Sequence, residues 1–326
     1  MIERLRKTQI ELNEEQTNRL QNPETDWYTV EARPPRNQDL PAAPEPFIQG
    51  IRETRTKWLG LRNASPVIAF EVRRSTPDKL RFQYSVPTKR LERKLRNHLS
   101  DTTPHVELTG NGVDGLPVNA EDTIGGGTVT VGRTDWYPLK TEYDTPPINA
   151  LVGALHHEAM KDSSFVVQVL LRPVAGKPVR RRWYRRQARN NISRLRSQKE
   201  LLIGRRKPTS KEKKQARKIG DKVTSTLFEA LIRAVVIGAG DHTPSRLHEV
   251  LGGYNQYENR ESGQSLNGSV ETAFRETSLL RFYRSVADRR FPEKHRRFRV
   301  STPELAALIS LPDRSQENIR YARPQP

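Results

Sequence analysis

Ser164-Phe-Val-Val-Gln-Val-Leu-Leu-Arg172 decides the fold. The run is short, rich in valine and apolar almost throughout, the pattern of a strand buried on both faces near the middle of a sheet. Working back from it, 148–160 reads as a helix, Gly127-Thr-Val-Thr-Val-Gly132 and His105-Val-Glu-Leu108 as strands around a glycine-rich loop, and Thr88 to Leu99 as an amphipathic helix with Leu91, Leu95 and Leu99 at four-residue spacing. Leu80-Arg-Phe-Gln-Tyr84 and Val67-Ile-Ala-Phe-Glu-Val72 are further strands. From Leu80 the order is strand, helix, strand, strand, helix, strand, which predicts an α+β fold with a ferredoxin-like, split βαβ unit.

Outside this core the texture changes. Residues 1–59 collect Pro23, Pro34, Pro35, Pro41, Pro44 and Pro46 around Trp27 and Tyr28, and read as an extended arm, pinned by the aromatics or loose. After residue 222 a looser cycle begins. Thr226 to Ile237 reads as a strand because Val-Val-Ile ends it and Gly238 stops it, although Leu, Glu and Ala also suit a helix. His242 to Asn255 reads as a helix, Leu280 to Tyr283 and Phe298 to Val300 as strand pieces, and Asn255 to Gly268 as a mobile loop. The expected organisation is an arm at 1–59, a ferredoxin-like domain at 60–175, a basic helical arm at 176–222, a second, smaller α+β unit at 223–315 and a tail at 316–326.

Charge is concentrated in that arm. The chain of 326 residues carries 57 Lys+Arg against 38 Asp+Glu, a net +19. Residues 177–222 hold nineteen Lys+Arg against Glu200, Glu212 and Asp221, so this block contributes +16. Tyr184, Ala188, Ile192 and Leu195 form one apolar stripe on a helix, and a second, lysine-rich helix from Ser210 to Gly220 completes a hairpin. The candidate phosphate-contacting residues are Arg180, Arg181, Arg182, Arg185, Arg186, Arg189, Arg196, Lys211, Lys214 and Lys218. Guanidinium forks match phosphate oxygens, and each phosphate neutralised releases counterions. Charge alone leaves open a solvated face, nucleic acid, anionic lipid or an acidic partner.

Several chemistries find no residues here. There is no cysteine, which removes disulfides, thiolate metal sites and cysteine nucleophiles. Gly127 to Thr134 has the spacing of a phosphate loop with Arg133 in place of lysine, but its intervening residues are β-branched and no helix pattern follows. Gly238 to Pro244 reads as a strand-to-helix turn. His156-His157-Glu158 lacks a second histidine four residues on, so zinc-protease spacing fails. No catalytic residue, metal or cofactor is expected. No apolar run approaches the ~18 residues of a membrane span, and the N-terminus lacks the apolar core of a secretory signal, so the expected location is the cytoplasm or the inner face of a membrane.

Three segments carry a family resemblance: Gly132-Arg-Thr-Asp-Trp-Tyr-Pro-Leu-Lys-Thr141, Phe165 to Val174 with the arginine-rich helix after it, and Phe298-Arg-Val-Ser-Thr-Pro-Glu-Leu-Ala-Ala-Leu-Ile-Ser-Leu-Pro312. Together they resemble the region preceding the motor in archaeal and bacterial conjugation and type IV secretion ATPases of the HerA/FtsK superfamily. Within the last segment Ser301-Thr-Pro-Glu304 is a capping box that launches a helix over 303–309. The resemblance implies a non-catalytic assembly or DNA-engaging domain of a DNA transfer machine, with the ATPase motor supplied elsewhere. It implies as partners DNA, a P-loop ATPase subunit, membrane-bound secretion components and further copies of the chain. A stand-alone nucleic-acid-binding or virion-type protein, and a membrane-surface adaptor, are the alternatives.

Overall fold

The computed structural model describes residues 6–36, 38–75, 78–156, 162–200, 205–291, 296–314 and 316–323. Its first half runs β1 (Gln9–Glu11), α1 (Glu14–Gln21), β2 (Tyr28–Arg33), α2 (Glu45–Ile51), the small hairpin β3 (Thr56–Lys57) and β4 (Arg62–Asn63), β5 (Ile68–Arg74), β6 (Arg81–Val86), α3 (Lys89–Thr102), β7 (Glu107–Thr109) and β8 (Thr123–Val131). The second half continues α4 (Ile148–Ala154), β9 (Ser164–Pro173), α5 (Pro178–Arg196), the pair β10 (Lys199–Glu200) and β11 (Arg205–Arg206), α6 (Ser210–Thr224), β12 (Leu227–Ile237), α7 (Thr243–Gly252), β13 (Leu266–Val270), α8 (Glu276–Ala287), β14 (Phe298–Ser301) and α9 (Thr302–Leu308).

The fold is α+β around one ten-stranded sheet, ordered β1-β8-β12-β9-β5-β6-β2-β7, with β13 added to β8 and β14 to β12. Every ladder in it is antiparallel. As the valine-rich run requires, β9 is central, lying between β12 and β5. Alternation along β12 divides the apolar material. Phe228, Ala230, Ile232, Ala234 and Val236 enter the larger core, which α2, α3, α4, α7 and α9 cover. Val235 and Ile237 enter a smaller cluster under α1 and α8.

This order corrects the split βαβ expectation. In a ferredoxin-like unit the strands at 81–86 and 123–131 would be antiparallel neighbours, but β6 lies between β5 and β2, and β8 between β1 and β12. The expected second unit at 223–315 is likewise part of the same sheet, because β12 inserts between β8 and β9. The basic hairpin therefore connects two adjacent strands of one sheet. The arm at 1–59 is not an extension: β1 and β2 are sheet strands, and Leu20, Val30, Phe47, Ile48 and Ile51 are buried. Its prolines flank these elements without interrupting them. The tail is packed too, with Ile319 buried and bridged to Leu80.

Two local expectations change. Leu280 to Tyr283 belongs to helix α8, whose Leu279, Tyr283, Val286 and Ala287 recur on one buried face. The expected loop at 255–268 is anchored by buried Asn259, Ser262 and Gln264, and its end forms β13. Strand β12 takes the strand reading over the helical one, and α4 ends at Ala154. His157 and Glu158 lie outside the described residues.

The glycines of β8 serve packing. A Cβ on Gly125 would meet Thr243 at 2.3 Å, on Gly126 Phe282 at 2.4 Å and on Gly127 Leu251 at 2.7 Å. Their absence lets α7 and α8 close on opposite faces. Gly126→Val is expected to cost about 1–3 kcal/mol through overpacking, measured by denaturant unfolding.

Candidate nucleic-acid interface

Helix α5 begins at Pro178, pre-set for a first helical position, after Lys177 in the left-handed region at φ 47°. Its sequence holds eight arginines and no carboxylate. Tyr184, Ala188 and Leu195 are buried against Ala216, Ile219 and Val223 of α6 and against Tyr137, so the apolar stripe forms the seam of the hairpin. Arg180, Arg181, Arg182, Arg186, Arg189 and Arg196 are exposed and Arg185 is half-buried. None of these seven forms an ion pair among the described residues. Arg180, Arg181 and Arg182 stand at the positive end of the helix dipole, where cations are unfavourable until an anion arrives.

The lysines of α6 divide. Lys211 is exposed, whereas Lys214 (3.7 Å) and Lys218 both meet Glu261. Of the ten expected residues, the seven arginines lie on α5 and Lys211 is open on α6, while Lys214 and Lys218 share the single carboxylate of Glu261.

Three clefts converge on α5, and Arg181 lines all of them. One is bounded by Arg52, Arg181, Arg185 and Arg299 with Ser225 and Thr226, and no acid lines it. A second places Arg180, Arg181, Arg297 and Arg299 with Asp135 and Glu229. There Arg297 Nη1 is buried without a hydrogen-bond partner, while its Nε lies 3.6 Å from Glu229. Burial and the neighbouring cations Arg172, Arg180 and Arg299 push the Arg297 pKa down against Glu229. Lys177 is pushed down the same way, by burial and by Arg297. Burial leads in both cases, and the neighbouring cations add to it against the charge of Glu229. Arg299 stacks on Tyr184, its guanidinium carbon 4.0 Å from the ring centre.

Sequence reading missed Arg52, Arg297 and Arg299, which reach the clefts from α2's end and from around β14. For Arg297 and Arg299 the signal was their position beside the Phe298 strand; Arg52 had none.

Two buried polar assemblies lie inside the fold, the first of them beside the basic hairpin. Lys222, at the end of α6, donates to Glu304 Oε1 at 2.9 Å, and both side chains are buried. Leu139 N–H donates to the same oxygen at 2.6 Å, and Ser301 N–H (2.5 Å) and Oγ (2.8 Å) donate to Oε2. The capping carboxylate of α9 thus ties together the segment at 132–141, the basic hairpin and the 298–312 segment.

The second assembly crosses the sheet. Ser269, Thr128, Arg233, Gln168, Glu71, Gln83, Glu31 and Thr109 stand directly opposite one another on eight successive strands. At its centre Glu71 accepts from Gln168 (2.6 Å), Gln83 (2.7 Å), Arg73 (3.1 Å) and both Nε (2.9 Å) and Nη2 (3.0 Å) of Arg289. Arg233 donates to Gln168 at 2.7 Å and to Ser285 of α8. Burial would raise the Glu71 pKa, but the charges of Arg289 and Arg73 hold it at about 2. Arg289 follows the end of α8 at φ 51°, with its N–H to Val286 O and that of Arg290 to Ser285 O. That is the Schellman arrangement with arginine where glycine is usual.

Among the described residues no group of three or more His, Asp or Glu is placed to hold a metal, and no helix is long and apolar enough to cross a membrane. A family model described as Domain of unknown function (DUF8128) matches residues 2–324. No curated protein matches the chain.

Proposed function

The chain belongs to the DUF8128 family, and on that premise we propose that it is a nucleic-acid-binding component that grips phosphates through α5 without reading base sequence. The observation carrying this reading is a 19-residue helix with eight arginines and no carboxylate, flanked by clefts that add Arg52 and Arg299. Arginine forks suit phosphate oxygens in two-point contacts, and unopposed cations steer a polyanion toward them. The HerA/FtsK resemblance supplies a setting, DNA engagement within a DNA transfer machine. The node at Glu304 supports a shared role for the three resembling segments, since it joins two of them to the basic hairpin.

The test replaces Arg181, Arg182, Arg185, Arg186 and Arg189 by Gln, which keeps helix propensity and the buried stripe. Duplex DNA binding is followed by anisotropy across a salt series. The parent is expected to show log affinity falling linearly with log salt, by about 0.9 per phosphate engaged. The variant should bind at least about tenfold more weakly at physiological salt, with a shallower slope. Equal affinity and an unchanged slope would overturn the reading.

A further inference from the structure

Five of the eight large apolar side chains exposed among the described residues lie at one corner of the molecule. Trp58 (76% exposed), Leu59 and Leu61 form the tip between β3 and β4, and Val179 (78%) and Trp183 (59%) lie four residues apart on α5. Solvent exposure of two tryptophans and two leucines is costly, and clustering of such groups marks a contact surface.

The tip is held out by its backbone. Trp58, Leu59 and Gly60 have φ of 56°, 52° and 83°, a region that bulky residues occupy only under constraint. Leu61 N–H closes the turn on Trp58 O, and Lys177 N–H donates to Leu61 O. Gly176 presses on the Gly60 to Asn63 backbone, where a Cβ would lie 2.9–3.0 Å from its atoms. These contacts fix the tip beside the start of α5. Leu59 and Gly60 share one cleft with Arg181, Arg182, Arg185, Arg186 and Arg189. Lys57 and Arg62 stand opposite each other at the base of the tip.

From this juxtaposition we propose that the corner docks on an anionic bilayer, with Trp58, Leu59 and Leu61 entering the interfacial layer and the α5 arginines meeting lipid phosphates. The tip is convex, so a rigid protein partner would need a matching socket, whereas a fluid bilayer accommodates any protrusion of this size. Tryptophan and leucine prefer that interface, and adjacent Lys and Arg add attraction to anionic headgroups. The inference shares the arginines with the nucleic-acid reading but stands on the apolar tip, which phosphate contact does not need.

The experiment uses the full chain, co-sedimented with phosphatidylcholine vesicles with and without phosphatidylglycerol, and in parallel bound to duplex and single-stranded DNA. The parent is expected to bind only the anionic vesicles, with a blue shift of tryptophan emission. The exposed triple change Trp58→Ser, Leu59→Ser, Leu61→Ser should weaken vesicle binding about a hundredfold while leaving both DNA affinities unchanged. Circular dichroism of the variant confirms that it is folded. Failure of the parent to bind anionic vesicles, or undiminished vesicle binding by the folded variant, would overturn the proposal. Loss of single-stranded DNA binding in the variant would overturn it in favour of base stacking on Trp58. If the parent ignores DNA yet the vesicle results hold, the nucleic-acid reading fails and this one survives.

Discussion

Glu71→Ala is expected to destabilise the protein by about 3–5 kcal/mol, because it strands Arg289 and Arg73 in the interior without their counter-charge. Glu71 is 1% exposed and receives five donors, all of which lose their acceptor at once. Arg289 would suffer twice. Its backbone stays in the left-handed region at φ 51°, and the ion pair that holds it there is reduced to Asp114 at 2.5 Å. Chemical unfolding should therefore show a large drop in midpoint, and hydrogen exchange should rise first at the end of α8.

The same carboxylate sets an acid response. Its pKa falls from 4.5 to about 2 on folding, so its contribution is complete above about 4.5 and is lost as pH falls toward 2. The shift corresponds to about 3 kcal/mol. Urea unfolding of the parent between pH 5 and 2 should lose stability by this order beyond what Glu71→Gln loses, since the amide does not titrate. Parallel pH profiles for the two proteins would show that Glu71 is not the titrating group.

Much of the sheet was legible because its strands advertise themselves locally. Ser164 to Arg172 and Thr226 to Ile237 are β-branched runs with stop signals, and both became central strands. Strand order was not legible, because β12 pairs with β8 about a hundred residues earlier in the chain, and nothing local encodes that choice. The four-residue window at Leu280 to Tyr283 hid a helical period that only the span from Leu279 to Ala287 exposes. At 1–59 the density of proline outweighed the alternation in Tyr28 to Arg33, whose strand partner lies beyond Leu80. The α5 arginines could be read directly, since they are consecutive in the chain. The cross-sheet polar row had a signal that went unused: Glu71, Gln83, Gln168 and Arg233 each stand between two apolar neighbours in the middle of a strand. In strands buried on both faces, such a central polar residue pins the register, because a one-residue slip would turn it toward the opposite, apolar core.

The second large effect belongs to the node that anchors the basic hairpin. Lys222→Met leaves the buried Glu304 carboxylate with the Leu139 and Ser301 donors but no counter-charge, and should cost about 3–5 kcal/mol. Glu304→Gln should cost a similar amount, since it leaves Lys222 charged and buried. The double change Lys222→Met, Glu304→Gln removes both charges and should cost clearly less than the sum of the two single changes, because neither variant side chain then strands an ion. Unfolding free energies for the four proteins form the cycle, and additive costs would mean that the pair is not coupled. The position of the pair extends the consequence to binding. Lys222 ends α6, and α6 supplies the wall on which the Tyr184, Ala188 and Leu195 seam of α5 rests. A loosened α6 would let the arginines spread, so each single variant should also weaken DNA binding while the coupled double variant recovers part of it. That recovery separates an effect transmitted through hairpin position from one of surface charge, since neither Lys222 nor Glu304 is exposed to meet a phosphate.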